Sequence, residues 1–599
     1  MFEHRTVWQV SFACFLLSII LYGHSAVYYF AFDDNFAVIN NADVTNPSNP
    51  WSHLLRHDFW GQDIRSPTSH KSYRPVTIAC FRLTAMAWRY LLQVFPDYLA
   101  SLRSLRRRLI GVPALLTQNE HGGGGIRGGD SDPDPFPFHL LNIVLHALAS
   151  SAVVWTSFLF APPTLCASNR RSRRKRLLFC LLVGLFFSAH PIHVEAVAGV
   201  VGCAELLSFC LSLLSLVLYR HSCTAGKWWS LLGAVGSAFS AALAKEIGVT
   251  VIGSMALYDI LLVPFSNPDP GRIWRRLIGW PRIRVVVGQR KWLRIFTLAM
   301  TLWMYFSLRN YVMQGDTLVQ IYRKVENPIP FEPTKLARVL STLHLHWRYF
   351  ALLVAPVQMS ADWSYNCVPP VRGFSDPRSL PPILMYVAFA VFVICCRPWT
   401  VLVHWWKATA ISETDGEKEK SKNKKNEKEK TEKEKTEKME FIALPDPPLI
   451  LPSDALWRLF VFVGLVVAPF LPSSNVLFYV GTFIGERLLY APSFGFVLLL
   501  SDLFIRLEDA VRAEKEEKEE RGVERGVERG VKTQESCGTA GLVKETGDDG
   551  IREEVKEEMS GIRERKKKKK KKEEKAAEIT VSRMWRSCLK WSVHSSTAI

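Results

Sequence analysis

VWQVSFACFLLSIILYGHSAVYYF, residues 7–30, runs directly into AFDDNFAVINN, residues 31–41. Apart from Gln9, Ser11, Ser18, His24 and Ser25 the first stretch is apolar, and at about 1.5 Å per residue it is long enough to cross a hydrocarbon core of about 30 Å. A secretory signal would have a shorter apolar region and a small-x-small cleavage site, whereas Tyr28, Tyr29 and Phe30 form the aromatic belt of a membrane interface. The stretch reads as an uncleaved transmembrane helix with Asp33 and Asp34 at its exit. Carboxylates this close to lipid are costly and mark function more often than ordinary surface pairs. The plainer alternative is a solvated loop start, with Asn40, Asn41 and Asp43 as turn formers.

Of the 599 residues 48% are hydrophobic and 12% aromatic, yet the formal charge is +19. The basic excess lies between apolar segments and in the C-terminal tail, which fits membrane topology and argues against a nucleic-acid partner. Twelve cysteines are scattered, several inside apolar runs, and no CxxC pair occurs, so neither a zinc site nor a disulfide framework is implied.

Further apolar segments fall at 138–160, 177–189, 197–219, 228–244, 248–263, 294–311, 383–403 and 456–471, with a last one ending near Leu503. With an undecided stretch at 336–359, they predict an all-α, polytopic helical bundle of about ten membrane segments. Residues 31–137 form a large extramembrane loop, in which Pro75 to Phe95 has the spacing of an interfacial helix and 101–134 reads as a flexible insertion. Whether 336–359 crosses, re-enters or lies flat is open; an incomplete crossing keeps the Lys/Glu-rich loop at 405–455 in the cytosol. The tail, 506–599, carries three Glu-Arg-Gly-Val copies and seven consecutive lysines and reads as disordered. The predicted organisation is therefore a membrane region at 7–404 and 456–505, interrupted by the charged loop.

Short basic loops orient the chain. Residues 170–176 contain six Lys or Arg and 272–294 contain eight, placing both in the cytosol by the positive-inside rule. Counting from them puts Asp33, His190, His193, Glu195 and Glu246 on the opposite face. Acidic, imidazole and cationic groups from separate hairpins thus gather at one membrane surface. Singly they are weak signals: His190 and His193 flank Pro191 as helix-capping residues do, and their spacing to Glu195 fits no helical zinc motif. Arg487, beside the last span, has the paired donors that suit a lipid phosphate.

The strings FDDNFAVINNADV, PWSHLLRHDFWG, SHKSYRPVT, FHLLNIVLHA, HPIHVEAVAGVVGCAELL, AKEIGVTVIG, DWSYNCVPP and FLPSSNVLFYVGTFIGERLLYAPSFGF occur in this order. Across residues 7–505 the chain resembles the TMTC family of transmembrane O-mannosyltransferases, of the GT-C class. The resemblance implies a multi-pass protein of the endoplasmic reticulum membrane with its site facing the lumen. It implies transfer of mannose from dolichyl phosphate mannose to Ser or Thr of cadherin-type proteins. By position Asp33 takes the base role and Asp34 a supporting or acceptor-binding role. Arg74, His70, Lys71 and Arg487 are the donor-phosphate candidates, with His190, His193, Glu195, Glu246 and Glu486 in support. No cofactor is expected and no metal ligand is assigned; some GT-C enzymes use a divalent metal, but an ionised phosphate leaves without one. Family members continue into tetratricopeptide repeats, whose 34-residue period is missing here, so a truncated product is expected. A silent membrane scaffold is the main alternative and a secondary transporter the next, although the charges sit at one face instead of midplane.

Overall fold

The computed structural model describes residues 2–98, 101, 133–159, 161, 170–262, 288–314, 323–399 and 454–537. Most of the insertion at 101–134, nearly all of the Lys/Glu loop and the tail beyond 537 lie outside them. The described residues contain helices and no β-sheet; one antiparallel bridge joins His57 and Asp63. In order the helices are α1 (Phe2–Tyr22), α2 (Ala42–Thr45), α3 (Pro75–Val94), α4 (Phe136–Leu159), α5 (Arg170–Ala189) and α6 (Val194–Ala198). There follow α7 (Cys203–Ala225), α8 (Trp228–Ala244), α9 (Thr250–Leu262), α10 (Gly288–Val312), α11 (Lys335–Val354), α12 (Leu380–Cys396), α13 (Asp454–Phe470) and α14 (Tyr490–Cys537).

Five helical stretches among the described residues are long and apolar enough to cross a membrane: His4–Val27, Phe136–Phe158, Val200–Ala225, Pro377–Cys396 and Glu486–Lys518. The pair Arg170–Ala189 and Pro191–Ala198, bent by 49° at its break, makes a sixth if it is one span. The break has a cause, since Pro191 cannot supply the N–H that would continue α5. The sequence count of about ten is larger because it includes shorter helices such as α8, whose 17 residues reach only about 25 Å. Charged residues at both ends of α10 and along α11 keep those two helices below the same threshold.

Small residues and serines set the helix packing. On α8 Ala234, Ala238, Ala241 and Ala242 are fully buried, and this brings the backbone close enough for Ser215 and Ser208 of α7 to donate to the carbonyls of Ala234 and Ala241, at 2.8 and 2.9 Å. Gly236 on the same helix faces open space instead. Ser11 and Ser18 of α1 bond Ser151 and Ser150 of α4, contacts worth about 0.6 kcal/mol each between membrane helices. A second core joins α11, through Leu345, Tyr349 and Leu353, to Phe483, Ile484, Leu488 and Leu489.

Between α1 and α3 the chain folds through a π-helical turn at Asn35–Ile39, α2 and a 3-10 turn at Trp51–Leu55. The helix expected over Pro75 to Phe95 is α3, begun by Pro75 at its first position. It buries Ile78, Phe81 and Ala85 and exposes Leu83, Met86 and Tyr90.

Two units divide at Leu500 and Ser501. In the second, the helix continues to Cys537 where a disordered tail was expected from 506. Ion pairs one turn apart support it, Asp502 with Arg506, Glu508 with Arg512 and Glu514 with Lys518.

Candidate functional site

Phe32 has a φ of 45°, a left-handed backbone that few non-glycine residues adopt. Beyond that turn the two adjacent carboxylates have different surroundings. Asp33 remains 46% exposed and its Oδ2 accepts from Arg487 Nη2 at 3.1 Å. Asp34 is 3% exposed; its Oδ1 accepts the Val201 N–H at 2.9 Å and its Oδ2 the Ala31 N–H at 3.1 Å. Burial pushes the Asp34 carboxyl above its ordinary value, while the N–H groups of Val201, Ala31 and Val200 and the charge of Arg487 oppose this. Both oxygens of the buried Asp34 accept backbone N–H groups inside the protein, a geometry that suits the supporting role.

The turn that receives Asp34, Val200–Gly202, depends on glycine. A Cβ on Gly202 would overlap the backbone of Ala196, which cannot move aside as a side chain would. Gly202→Ala is therefore expected to destabilise the chain by about 1–3 kcal/mol or more, read as a lower melting temperature of the detergent-solubilised protein. An unchanged melting temperature would mean that this turn is looser than its packing implies.

Arg487 lies on a 3-10 turn, Glu486–Leu489, that leads into α14. Three bonds fix the turn: Gly485 N–H to Tyr349 Oη at 3.0 Å, Ser360 N–H to Glu486 Oε1 at 2.7 Å and Arg487 N–H to Glu195 Oε2 at 2.8 Å. Glu486 is thereby a buried latch between this turn and the segment after α11. The guanidinium then meets three carboxylates, since its Nε lies 3.4 Å from Glu195 Oε1 and 3.8 Å from Glu205 Oε1, in addition to the Asp33 contact. Glu205 also pairs with the Lys245 ammonium. Its other oxygen, Oε2, is buried without a hydrogen-bond partner.

A second charged group adjoins the first through the chain itself, because Glu246 follows Lys245. Glu246 pairs with Arg74 Nε at 3.1 Å and Arg309 Nη1 at 3.8 Å. Burial acts to raise the Glu246 carboxyl, but Arg74, Arg309 and Lys245 outweigh it and hold the group below its ordinary value. The Arg74 guanidinium also stacks over the Phe59 ring, 4.9 Å from its centre.

Beside these charges a cleft runs between α7, α9, α13 and α14. Glu205, Lys245 and Arg487 line its polar end; Phe209, Leu213 and Leu465 are among its apolar walls.

Of the residues proposed from sequence, Asp33, Glu195 and Arg487 come together, Asp34 and Glu486 support them from within, and Arg74 and Glu246 form the adjoining group. Four do not point into the cluster. Lys71, in a left-handed turn with φ 57°, gives its ammonium to the Ile64 carbonyl at 2.8 Å. His70 is exposed and packs its ring on Trp60. His190 caps the Pro191–His193 turn through Nδ1 and contacts the Leu353 carbonyl through Nε2. His193 is fully buried, with Nε2 on Ser493 Oγ at 2.8 Å and its ring against Tyr490 and Phe187. Glu205, Lys245 and Arg309 were not selected from sequence. An ionisable residue inside an apolar helix was the available signal for Glu205 and Arg309.

Residues 316–390 match the family described as Protein O-mannosyl-transferase TMTC, DUF1736. That segment contains α11 and Ser360, which hold the Arg487 turn. The chain is 28% identical over 505 residues to Protein O-mannosyl-transferase TMTC2 of Mus musculus, covering 81% of this chain and 51% of the relative. It is 26% identical over 506 residues to Protein O-mannosyl-transferase TMTC4 of Homo sapiens, covering 81% and 54%. To Protein O-mannosyl-transferase Tmtc3 of Drosophila melanogaster it is 26% identical over 541 residues, covering 83% and 46%. The chain thus spans about half the length of the curated relatives it matches. No solved structure matches. With the ordered motifs, the helical architecture and the matched segment in agreement, the chain is similar to proteins of the TMTC family over about four fifths of its length.

Proposed function

We propose that this chain is a glycosyltransferase that moves mannose from dolichyl phosphate mannose to Ser or Thr hydroxyls of cadherin-type proteins at the lumenal face of the endoplasmic reticulum membrane. The observation that carries the proposal is the position of Arg487: it lines the polar end of an apolar-walled cleft and also pairs with the half-exposed Asp33. A polyprenyl tail fits the apolar walls. The phosphate, which needs cationic donors at the membrane surface, meets Arg487 and Lys245, with Arg74 beside them. The names of the relatives, Protein O-mannosyl-transferase, support the same reading.

In the reaction the acceptor oxygen attacks the anomeric carbon of mannose as the bond from that carbon to the phosphate oxygen breaks. The hydroxyl proton passes to Asp33, and dolichyl phosphate departs with its negative charge held by the cations. Attack opposite the leaving group inverts the anomeric centre. Glu195 and Glu205 keep Arg487 in place, and Asp34 fixes the backbone from which Asp33 projects. The phosphate leaves already ionised, so this scheme assigns no step to a metal.

The test is transfer of radiolabelled mannose from dolichyl phosphate mannose to a folded cadherin domain by the purified chain in lipid nanodiscs. Label on Ser or Thr that disappears when donor is omitted is the expected result. A folded chain that neither transfers label nor binds dolichyl phosphate would leave the scaffold reading standing.

A further inference from the structure

The loop between α1 and α3 holds a cluster that the transfer reaction does not use. Asp43 of α2 is 1% exposed at its side chain, and two imidazoles face it from the segment beyond. His57 Nδ1 lies 2.7 Å from Asp43 Oδ2, and His53 Nδ1 lies 3.9 Å from Asp43 Oδ1. The three ligand atoms lie within 4.8 Å of one another. His53 and His57 are held one helical turn apart by the bond from the His57 N–H to the His53 carbonyl, at 2.8 Å. Asn41 fixes Asp43 by accepting its N–H at 3.0 Å, and Asn49 donates to Asp43 Oδ1 at 3.3 Å.

A second observation separates this cluster from an ordinary hydrogen-bonded histidine pair. His53 Nδ1 is buried and has no hydrogen-bond partner, although it faces a buried carboxylate. A buried polar atom left unpaired is costly, and an ion between it and Asp43 removes that cost. Two imidazole nitrogens with one carboxylate oxygen suit zinc and its neighbours, whereas calcium and magnesium call for oxygen sets. Around a tetrahedral zinc the ligand atoms stand about 3.4 Å apart, a value between the two separations seen here. The imidazoles are partly open, with side-chain exposures of 37% for His53 and 23% for His57.

We infer that Asp43, His53 and His57 form a binding site for one zinc-class divalent ion, which braces the loop between α1 and α3. Binding replaces the proton between His57 Nδ1 and Asp43 Oδ2 with the metal and releases that proton to solvent. The ion ties α2 to the 3-10 turn at Trp51–Leu55. Its role is to stiffen the loop that follows Asp33, and it takes no part in bond making at the donor. The inference is independent of the proposed transfer reaction.

Cobalt(II) is the probe. The full chain, purified without a polyhistidine tag and treated with chelator, is titrated with cobalt while visible absorption is followed; zinc is then added. One equivalent of cobalt with visible bands that zinc displaces is expected, together with slower proteolysis of the loop in the loaded protein. His53→Gln removes a ligand atom that has no hydrogen bond to lose, so the variant is expected to fold as the parent does and to bind cobalt at least tenfold more weakly. His57→Gln and Asp43→Asn are expected to abolish the bands. Absence of saturable binding in the folded parent overturns the assignment. So does binding that is undiminished in both histidine variants.

Discussion

Asp33→Asn is expected to lower mannosyl transfer by about 10²- to 10⁴-fold, the range that a positioned general base contributes. The substitution keeps the shape of the side chain and leaves an oxygen to accept from Arg487 Nη2, which lies 3.1 Å away in the native chain. It removes the group that takes the acceptor proton. The loss should therefore fall on kcat, with donor KM changed little and the melting temperature close to that of the parent. Asp34→Asn gives the contrasting profile. Burial already acts against the charged form of Asp34, and the amide keeps one acceptor oxygen while placing an N–H₂ against one of the two backbone N–H donors. Its cost should appear as about 1–3 kcal/mol of stability, with activity per folded molecule largely kept. Should Asp33→Asn retain full kcat, the base assignment is wrong.

Lys245→Met is expected to destabilise the folded chain by about 3–5 kcal/mol, because removal of one partner from a buried ion pair leaves Glu205 with only the more distant Arg487, 3.8 Å away. Lys245 and Glu205 have side-chain exposures of only 7% and 5%, so water cannot take over the lost contact. The double variant Lys245→Met, Glu205→Leu should recover most of that loss, since apolar side chains of similar volume often replace a buried pair at little cost. Arg487 would still have Glu195 and Asp33. Thermal unfolding of the three proteins in the same detergent checks both statements. A double variant no more stable than Lys245→Met would show that Glu205 is held by Arg487 and not by Lys245.

Much of the site was legible from topology. Asp33, Glu195 and Glu246 were assigned to one face by counting spans between basic loops, and the structure brings Asp33 and Glu195 to Arg487. Motif strings alone could not reveal direction. The string FDDNF contains two equivalent-looking carboxylates, and only their partners in the fold show that one is open and the other sealed. His193 has the side chain of a proton carrier, but full burial among aromatic rings and a bond to Ser493 make it part of the core. Lys71 follows the same lesson, since its left-handed backbone aims a cation at a carbonyl of its own loop. Glu205 and Lys245 were hard to see because each is expensive to bury alone; they become plausible only as a pair, and their separation of 40 residues hides the pairing. The fold class followed from apolar length. The span count did not, because helices such as α8 are apolar yet too short to decide the matter by themselves.

The bond between Asp33 and Arg487 closes across 454 residues of chain. At about 5–20 residues per second of synthesis, roughly 20 to 90 seconds separate the appearance of the carboxylate from that of the guanidinium. Glu195, Glu205 and Lys245 are made in the interval and wait with it. The centre is thus completed only by the turn that leads into the last described helix, and a chain that ends before Arg487 leaves Asp33 and Glu195 without that cation.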